Sequence, residues 1–465
     1  MRKTIGFITS SFILVFSGCE TWNAKDAPTP EIETPEAWSS DAESGAEILD
    51  AWLTDFESSE LEQLVEEALE KNPSIQASMA SLDAAFFNAK ISGARLFPTI
   101  TADGSLRRSL SNTQTGQNIY STSANASLGV SWEIDIWGRV RDAKNAAKFD
   151  YLASEASFDA ARLSLAANVA RLWIQAIAAK QQLNLAESTL ESYEENVEII
   201  NSRFERGISS ALDLQLIRST AASTRSSVAA NKDNLDETIR SLEILLGRYP
   251  AGVLAVSDEL PQVPASVPSG LPSELLERRP DIAQASARLD AAAFRRSISH
   301  KNRLPALSLT GSFGHSSSDL GDLTDPDFNV WSIFGGLGTT LFNFGRLEAE
   351  QDVATAQYVQ AGHNYVSTVL GAFLEVESAL TSDTLFAERL DAQREAAQAS
   401  TDAETISWER YQSGLNDIVT VLEAQRRADN ARRDLITQES SYLLNRVNLH
   451  LALGGAFEQA PVDSE

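Results

Sequence analysis

Leu69-Glu70-Lys71-Asn72-Pro73-Ser74-Ile75 and Leu276-Glu277-Arg278-Arg279-Pro280-Asp281-Ile282 are two versions of one segment, 207 positions apart. The same shift pairs Leu82-Asp83-Ala84-Ala85 with Leu289-Asp290-Ala291-Ala292, Pro98 with Pro305 and Gly104 with Gly311. Further on it pairs Gly138-Arg139 with Gly345-Arg346, Gly207 with Gly414, and Leu246-Gly247 with Leu453-Gly454. A self-match at one fixed shift, sustained without a gap, means that one structural unit has been used twice. The first copy spans 57–248 and the second 273–457; five prolines in Tyr249–Pro272 mark the linker between them, and 458–465 is a short tail.

Within each copy the pattern changes from helix to strand and back. Glu57 to Leu96 reads as helix with a break at Pro73, and Pro98 stops it. From Tyr120 to Ile136 apolar residues alternate with Ser121, Ser123, Asn125, Ser127, Gly129, Ser131, Glu133 and Asp135, which is the period of a strand with two unlike faces. With Thr99 to Leu110 it predicts a hairpin over 99–137; Ala306–Ser317 and Val330–Phe344 predict its counterpart over 306–344, joined by the acidic loop Ser318 to Asn329. After Gly138-Arg139, as far as about Arg203, there is neither Gly nor Pro, which predicts a helix roughly 95 Å long at 1.5 Å per residue. Leu165, Val169, Leu172, Ala176, Ala179, Leu183, Ala186, Leu190, Tyr193, Val197 and Ile200 step by four and three, a heptad spacing. Gly207 ends the helix and Ser209 or Ser210 caps a returning one; the second copy does the same through Gly414.

The beginning of the chain has another character. Arg2 and Lys3 precede the apolar run Ile5 to Phe16, which is too short to span a bilayer and reads as a signal peptide over 1–18. Phe16-Ser17-Gly18-Cys19 resembles a bacterial lipoprotein box, in which Cys19 carries the lipid; the alternative is an ordinary signal peptide with an incidental cysteine. Residues 19–56, rich in Pro, Glu, Ser and Ala, read as a tether.

Net charge and motif content exclude whole classes of function. Lys and Arg number 38 against 65 Asp and Glu, a net charge of −27 that phosphate backbones would repel, so no nucleic-acid partner is expected. His300, His315, His363 and His450 have no metal-ligand spacing, and neither a Walker loop nor a Gly-x-Ser-x-Gly elbow is present. Acid pairs such as Glu194-Glu195 lie on heptad helices as solvated charge, so no enzymatic reading survives and no cofactor is expected beyond the lipid.

Strand count then predicts an assembly. Four strands cannot close, and open edges in lipid leave N–H and C=O groups unpaired. Two chains would give a filled eight-stranded barrel, whereas three give twelve strands and room for an opening. The expected fold class is therefore mainly α with β: a duplicated unit of long coiled-coil-like helices plus a β-hairpin, three chains forming a 12-stranded β-barrel and, from the helices that continue the strands, an α-barrel.

Trp132-Glu133-Ile134-Asp135-Ile136-Trp137-Gly138-Arg139, Leu341-Phe342-Asn343-Phe344-Gly345-Arg346 and Arg410-Tyr411-Gln412-Ser413-Gly414-Leu415, with Val421-Leu422-Glu423-Ala424-Gln425-Arg426, resemble motifs of the TolC-like outer-membrane factor family and of its lipoprotein (NodT-type) branch. The resemblance implies a homotrimer with a 12-helix α-barrel, anchored by lipid in the outer membrane of a Gram-negative bacterium and extending into the periplasm. It implies a passive exit duct for multidrug efflux, with a periplasmic adaptor and an inner-membrane resistance-nodulation-division pump as partners. A type I protein-secretion duct and a non-channel coiled-coil surface lipoprotein stand as alternatives. The family's periplasmic gate maps onto Tyr411, Arg410, Asp213, Glu423 and Val419, and its adaptor-docking turns onto Gly207, Ile208, Ser209, Gly414, Leu415 and Asn416. Phe204 faces Tyr411 across the repeat, and Asp213 faces Thr420.

Overall fold

The computed structural model describes residues 34–40, 52–263, 270 and 272–455. Cys19, the signal peptide and the C-terminal tail therefore lie outside the described residues. The order of helices and strands repeats; the second copy adds two short 3-10 turns, Leu320–Thr324 and Pro326–Phe328, between its strands. The first copy has α1 (Ser59–Lys71), α2 (Pro73–Ala94), β1 (Thr99–Asn112), β2 (Asn118–Ile134), α3 (Arg139–Glu205) and α4 (Ala211–Leu245). The second has α5 (Pro272–Arg278), α6 (Pro280–Lys301), β3 (Ala306–Ser317), β4 (Asn329–Gly338), α7 (Arg346–Gln412) and α8 (Ile418–Ala452). Helices α3 and α7 are each 67 residues long, and α4 and α8 each 35. Among the described residues no helix is long and apolar enough to cross a membrane.

Two units share this chain. The sheet unit takes Asn88–Phe149 and Leu289–Gly362, and the helical unit takes Glu31–Phe87, Asp150–Arg288 and His363–Glu465.

In the sheet unit the four strands lie antiparallel in sequence order. Directly opposed residues share a face. One face therefore carries Thr101, Asp103, Ser105, Arg107, Ser127, Asn125, Ser312 and Ser332, and the other Ile100, Leu106, Leu110, Leu128, Val130, Leu309, Phe313, Ile333 and Leu337. The corner Trp132 to Arg139 is held by its own motif. Glu133 pairs with Arg139 at 2.6 Å, Asp135 accepts the N–H groups of Val140 and Arg141 at the start of α3, and Trp137 donates to the carbonyl of Pro305 at 2.7 Å. Both predicted hairpins are corrected in extent. The first copy's second strand ends at Ile134 rather than 137, and β4 ends at Gly338 rather than Phe344. Gly338 pairs with Ala306, the first residue of β3, so residues beyond it have no partner strand within the chain. Phe344 and Gly345 then turn at φ 56° and 81°.

In the helical unit the break in each copy falls at Asn72 and Arg279, one residue before the proline that starts the next helix. Asn72 caps α2 through its side-chain carbonyl, which accepts the N–H of Ser74 at 2.8 Å. The main core gathers Leu61, Val65, Val169, Trp173, Ile174, Ile177, Leu242 and Leu246 around α1, α3 and α4. The tether reading of 19–56 needs correction where the chain is described. Trp38 is buried beside Phe373, Glu377 accepts from the N–H groups of Ser39 and Ser40, and the 3-10 turn Trp52–Phe56 buries both aromatics. Single aromatic anchors have no period, so a search for periodicity passes over them.

Candidate gate at the helix turns

Each long helix ends on a glycine in the left-handed region, Gly207 at φ 72° and Gly414 at φ 74°. The next residue's N–H closes the turn: Ile208 donates to the carbonyl of Arg203 and Leu415 to that of Arg410, both at 2.8 Å. Ser210, rather than Ser209, caps α4. Its hydroxyl accepts the N–H of Asp213 at 3.1 Å, and the carboxylate of Asp213 accepts the N–H of Ser210 at 2.9 Å, a reciprocal box. Asp417 caps α8 through the N–H of Thr420.

Tyr411 is buried just before its turn, in a cluster with Tyr193, Ile200, Leu214, Ile217, Ile418 and Val421. Its ring stacks on Trp408 at 5.5 Å and carries the Arg203 guanidinium 5.0 Å from its centre. Its hydroxyl is 3.3 Å from that of Ser209, so one candidate gate residue and one candidate docking-turn residue meet within the chain. Arg410 and Asn416 also meet, at 3.3 Å. Asp213 is engaged by Ser210 and not by Tyr411, and Glu423 is held by Arg426 at 2.8 Å and Arg427 at 3.0 Å on its own helix. Those two guanidiniums hold the Glu423 carboxyl below the usual range. Val419, Ile208, Leu212 and Leu415 are exposed, an unusual set of apolar side chains for helix ends.

Sequence reasoning missed Arg203 and Trp408, which clamp Tyr411, and a polar link between α3, α7 and α8. In that link Tyr193 donates to Asp429 at 3.1 Å, Arg432 reaches Glu404 at 2.6 Å, and Arg432 lies 3.5 Å from Asp429. Burial raises the carboxyls of Asp429 and Glu404, opposed in Asp429 by the Tyr193 hydroxyl and in Glu404 by Arg432. Burial first, and then Asp429, raise the Tyr193 phenol. The visible signal was Tyr193 at a heptad position otherwise filled by aliphatic residues. Among the described residues no cluster of His, Cys, Asp and Glu could hold a metal ion.

The duplicated helix–hairpin unit, the two-faced sheet and the glycine turns are those of a channel protein, and the chain belongs to the outer membrane efflux protein family, whose model matches residues 64–248 and 271–455. It is 32% identical over 468 residues to the toluene efflux pump outer membrane protein TtgC of Pseudomonas putida, covering 98% of this chain and 96% of that one. It is 28% identical over 454 residues to the cation efflux system protein CusC of Escherichia coli, covering 96% and 97%. The Campylobacter jejuni CmeC outer membrane channel superposes with a TM-score of 0.86 at 26% identity, covering 93% of this chain and 95% of that one. The fold is that of the TolC-like channels, and the protein is an outer-membrane efflux component that reaches into the periplasm. The protein-secretion alternative is not favoured by these relatives.

Proposed function

We propose that three copies of the chain form a lipid-anchored exit duct, passive in itself, through which an inner-membrane pump of the resistance-nodulation-division type and a periplasmic adaptor expel small molecules. The observation that carries the reading is the sheet, with one apolar and one polar face and with β1 and β4 pairing with no further strand among the described residues. An apolar face suits lipid, a polar face suits water, and the open edges require closure by other copies. Cys19 carries the lipid.

The helix turns form the gate. Tyr411 with Arg410, Asp213, Glu423 and Val419 narrows the aperture, and the apolar turn residues Ile208 and Leu415, with Gly207, Ser209, Gly414 and Asn416, receive the adaptor. Links made of single hydrogen bonds and exposed ion pairs are each weak enough to break when a partner docks. Single-channel conductance of detergent-purified protein in planar bilayers tests the reading. A trimer with a small closed-state conductance, raised in Tyr411→Phe combined with Asp213→Ala, is expected. A monomeric, non-conducting protein would overturn the duct, and unchanged conductance in the double variant would remove those residues from the gate.

A further inference from the structure

The internal repeat contains the register of a contact that one chain cannot show. Strand β2 of the first copy pairs with β3 of the second, Ala124 opposite Ser317 through Ile134 opposite Leu307. Under the 207-residue shift, β2 becomes β4 and β3 becomes β1. We infer that β4 pairs with β1 of a second copy of this chain in the shifted register: Trp331 opposite Leu110 of the partner subunit, Ser332 opposite Ser109 of the partner subunit, and so on to Leu341 opposite Ile100 of the partner subunit. The inference rests on the trimeric reading above and adds to it which residues meet.

Three independent observations fit this register. It keeps faces matched, since Ser332 and Ser109 lie on the polar face and Trp331 and Leu110 on the apolar one; a slip of one residue would invert every pair. It gives Thr339, Thr340 and Leu341 a partner strand, which they lack within the chain. Residues 330–344 read as strand in sequence, yet β4 stops at Gly338 and Leu341 is 93% exposed; on assembly β4 lengthens as β2 does. It also accounts for Phe334, the one aromatic ring on the polar face of the strands and 64% exposed, by setting it opposite Arg107 of the partner subunit, a cation over a ring. Arg107 stands where β3 has Gly314, at which a Cβ would lie 2.1 Å from the carbonyl oxygen of Ala126. The seam therefore opens slightly there, and the test pairs flank that point.

Disulfide trapping decides the register. In one chain β1 and β4 are separated by two strands, about 14 Å at about 4.8 Å per step, beyond the roughly 7 Å Cα separation a disulfide spans. Any bond between them is intersubunit. Ser109→Cys with Ser332→Cys, and Thr101→Cys with Thr340→Cys, should each give a covalent trimer on oxidation with copper phenanthroline in outer-membrane vesicles, read on non-reducing gels. Controls slipped by two residues, Arg107→Cys or Ser111→Cys with Ser332→Cys, should not. Trapping of a slipped pair in preference, or of neither designed pair while the reduced variants still run as trimers, overturns the register and leaves the trimer standing. Wild-type protein that runs only as monomer overturns the duct reading and the register with it.

Discussion

The two copies place the same helices at the same spacing and close the same corner with different chemistry. In the first, the Asn72 amide donates to the carbonyl of Leu245 at 2.8 Å; in the second, Arg279 donates to the carbonyl of Ala452 at 2.9 Å and is also fixed by Asp281 and Glu375. Leu245 and Ala452 are repeat equivalents, so the acceptor is kept while the donor changes. Glu243 accepts the N–H groups of Gly252, Val253 and Leu254 and so holds the linker, whereas its counterpart His450 lies 3.1 Å from Asp55 and against Trp52, holding the N-terminal segment. Ala176 and Ile239 belong to an apolar core, whereas their counterparts Asp383 and Arg446 form an ion pair at 2.8 Å. A backbone frame set by helix length and glycine turns fixes positions. The side chains at those positions are then free to grip whichever unrepeated segment passes by.

The sharpest way to break this comparison is to impose the first copy's chemistry on the second. Arg446→Ile leaves Asp383, partly buried and still near the Asn445 side chain, without its cationic partner and should cost about 2–3 kcal/mol, measured by thermal or denaturant unfolding in detergent. Adding Asp383→Ala should recover most of the loss, because an apolar pair of matching volume replaces an ion pair at little net cost. Burial already raises the Asp383 carboxyl, and Arg446 opposes it. A carboxyl raised in the folded state binds its proton there first, so the single variant should regain stability as pH falls toward the unfolded value of 3.8. A double variant as unstable as the single one would show that the frame, and not the pair, differs between copies.

The glycines that end α4 and α8 sharpen the same point. A Cβ on Gly247 would lie 2.7 Å from the backbone oxygen of Lys71, whereas on Gly454 the nearest atoms are the Cγ of Arg279 at 3.1 Å and the backbone carbonyl carbon of Arg278 at 3.2 Å, a looser fit. Both have φ near 72°. Gly247→Ala should therefore cost about 3 kcal/mol and Gly454→Ala about 2, from the left-handed conformation plus overpacking. A smaller effect separates Glu243 from His450. Although burial raises the Glu243 carboxyl, the N–H groups of Gly252, Val253 and Leu254 hold it below its ordinary value of 4.5. Its contribution is present above that value and is lost as pH falls through the lowered one. Glu243→Gln should cost about 1–2 kcal/mol at neutral pH and flatten this part of the acid dependence.

Much of the frame was legible in the sequence because it depends on spacing. The 207-residue shift, the helix break at Pro73, the alternation through β2 and the stops at Gly207 and Gly414 are all positional signals, and the structure places elements accordingly. Three features were not legible, for physical reasons. β4 ends where its partner strand ends, and strand length depends on a neighbour rather than on the strand's own alternation. The packing of Trp38, Trp52 and Phe56 depends on pockets built from distant helices. At the helix turns, the glycine stops could be read from the sequence, but the box that Asp213 makes with Ser210 could not, because it depends on a helix N-terminus offering its orphan N–H groups to the nearest carboxylate.

The smallest expected effect concerns the position where the copies differ by one oxygen, Phe204 against Tyr411. Tyr411→Phe removes a 3.3 Å contact with Ser209 but leaves the Trp408 stack and the Arg203 cation in place, so unfolding should shift by no more than about 0.5–1 kcal/mol. Phe204 is 40% exposed, and Phe204→Tyr adds a hydroxyl that water can satisfy, so its effect on stability should be near zero. The two substitutions separate if conductance is measured beside unfolding. Tyr411→Phe should raise channel conductance far beyond what its stability change explains, because the lost bond joins the end of α7 to the turn between α3 and α4. Phe204→Tyr should leave it unchanged. Equal conductance in both variants would mean that the asymmetry at this pair has no part in closing the duct.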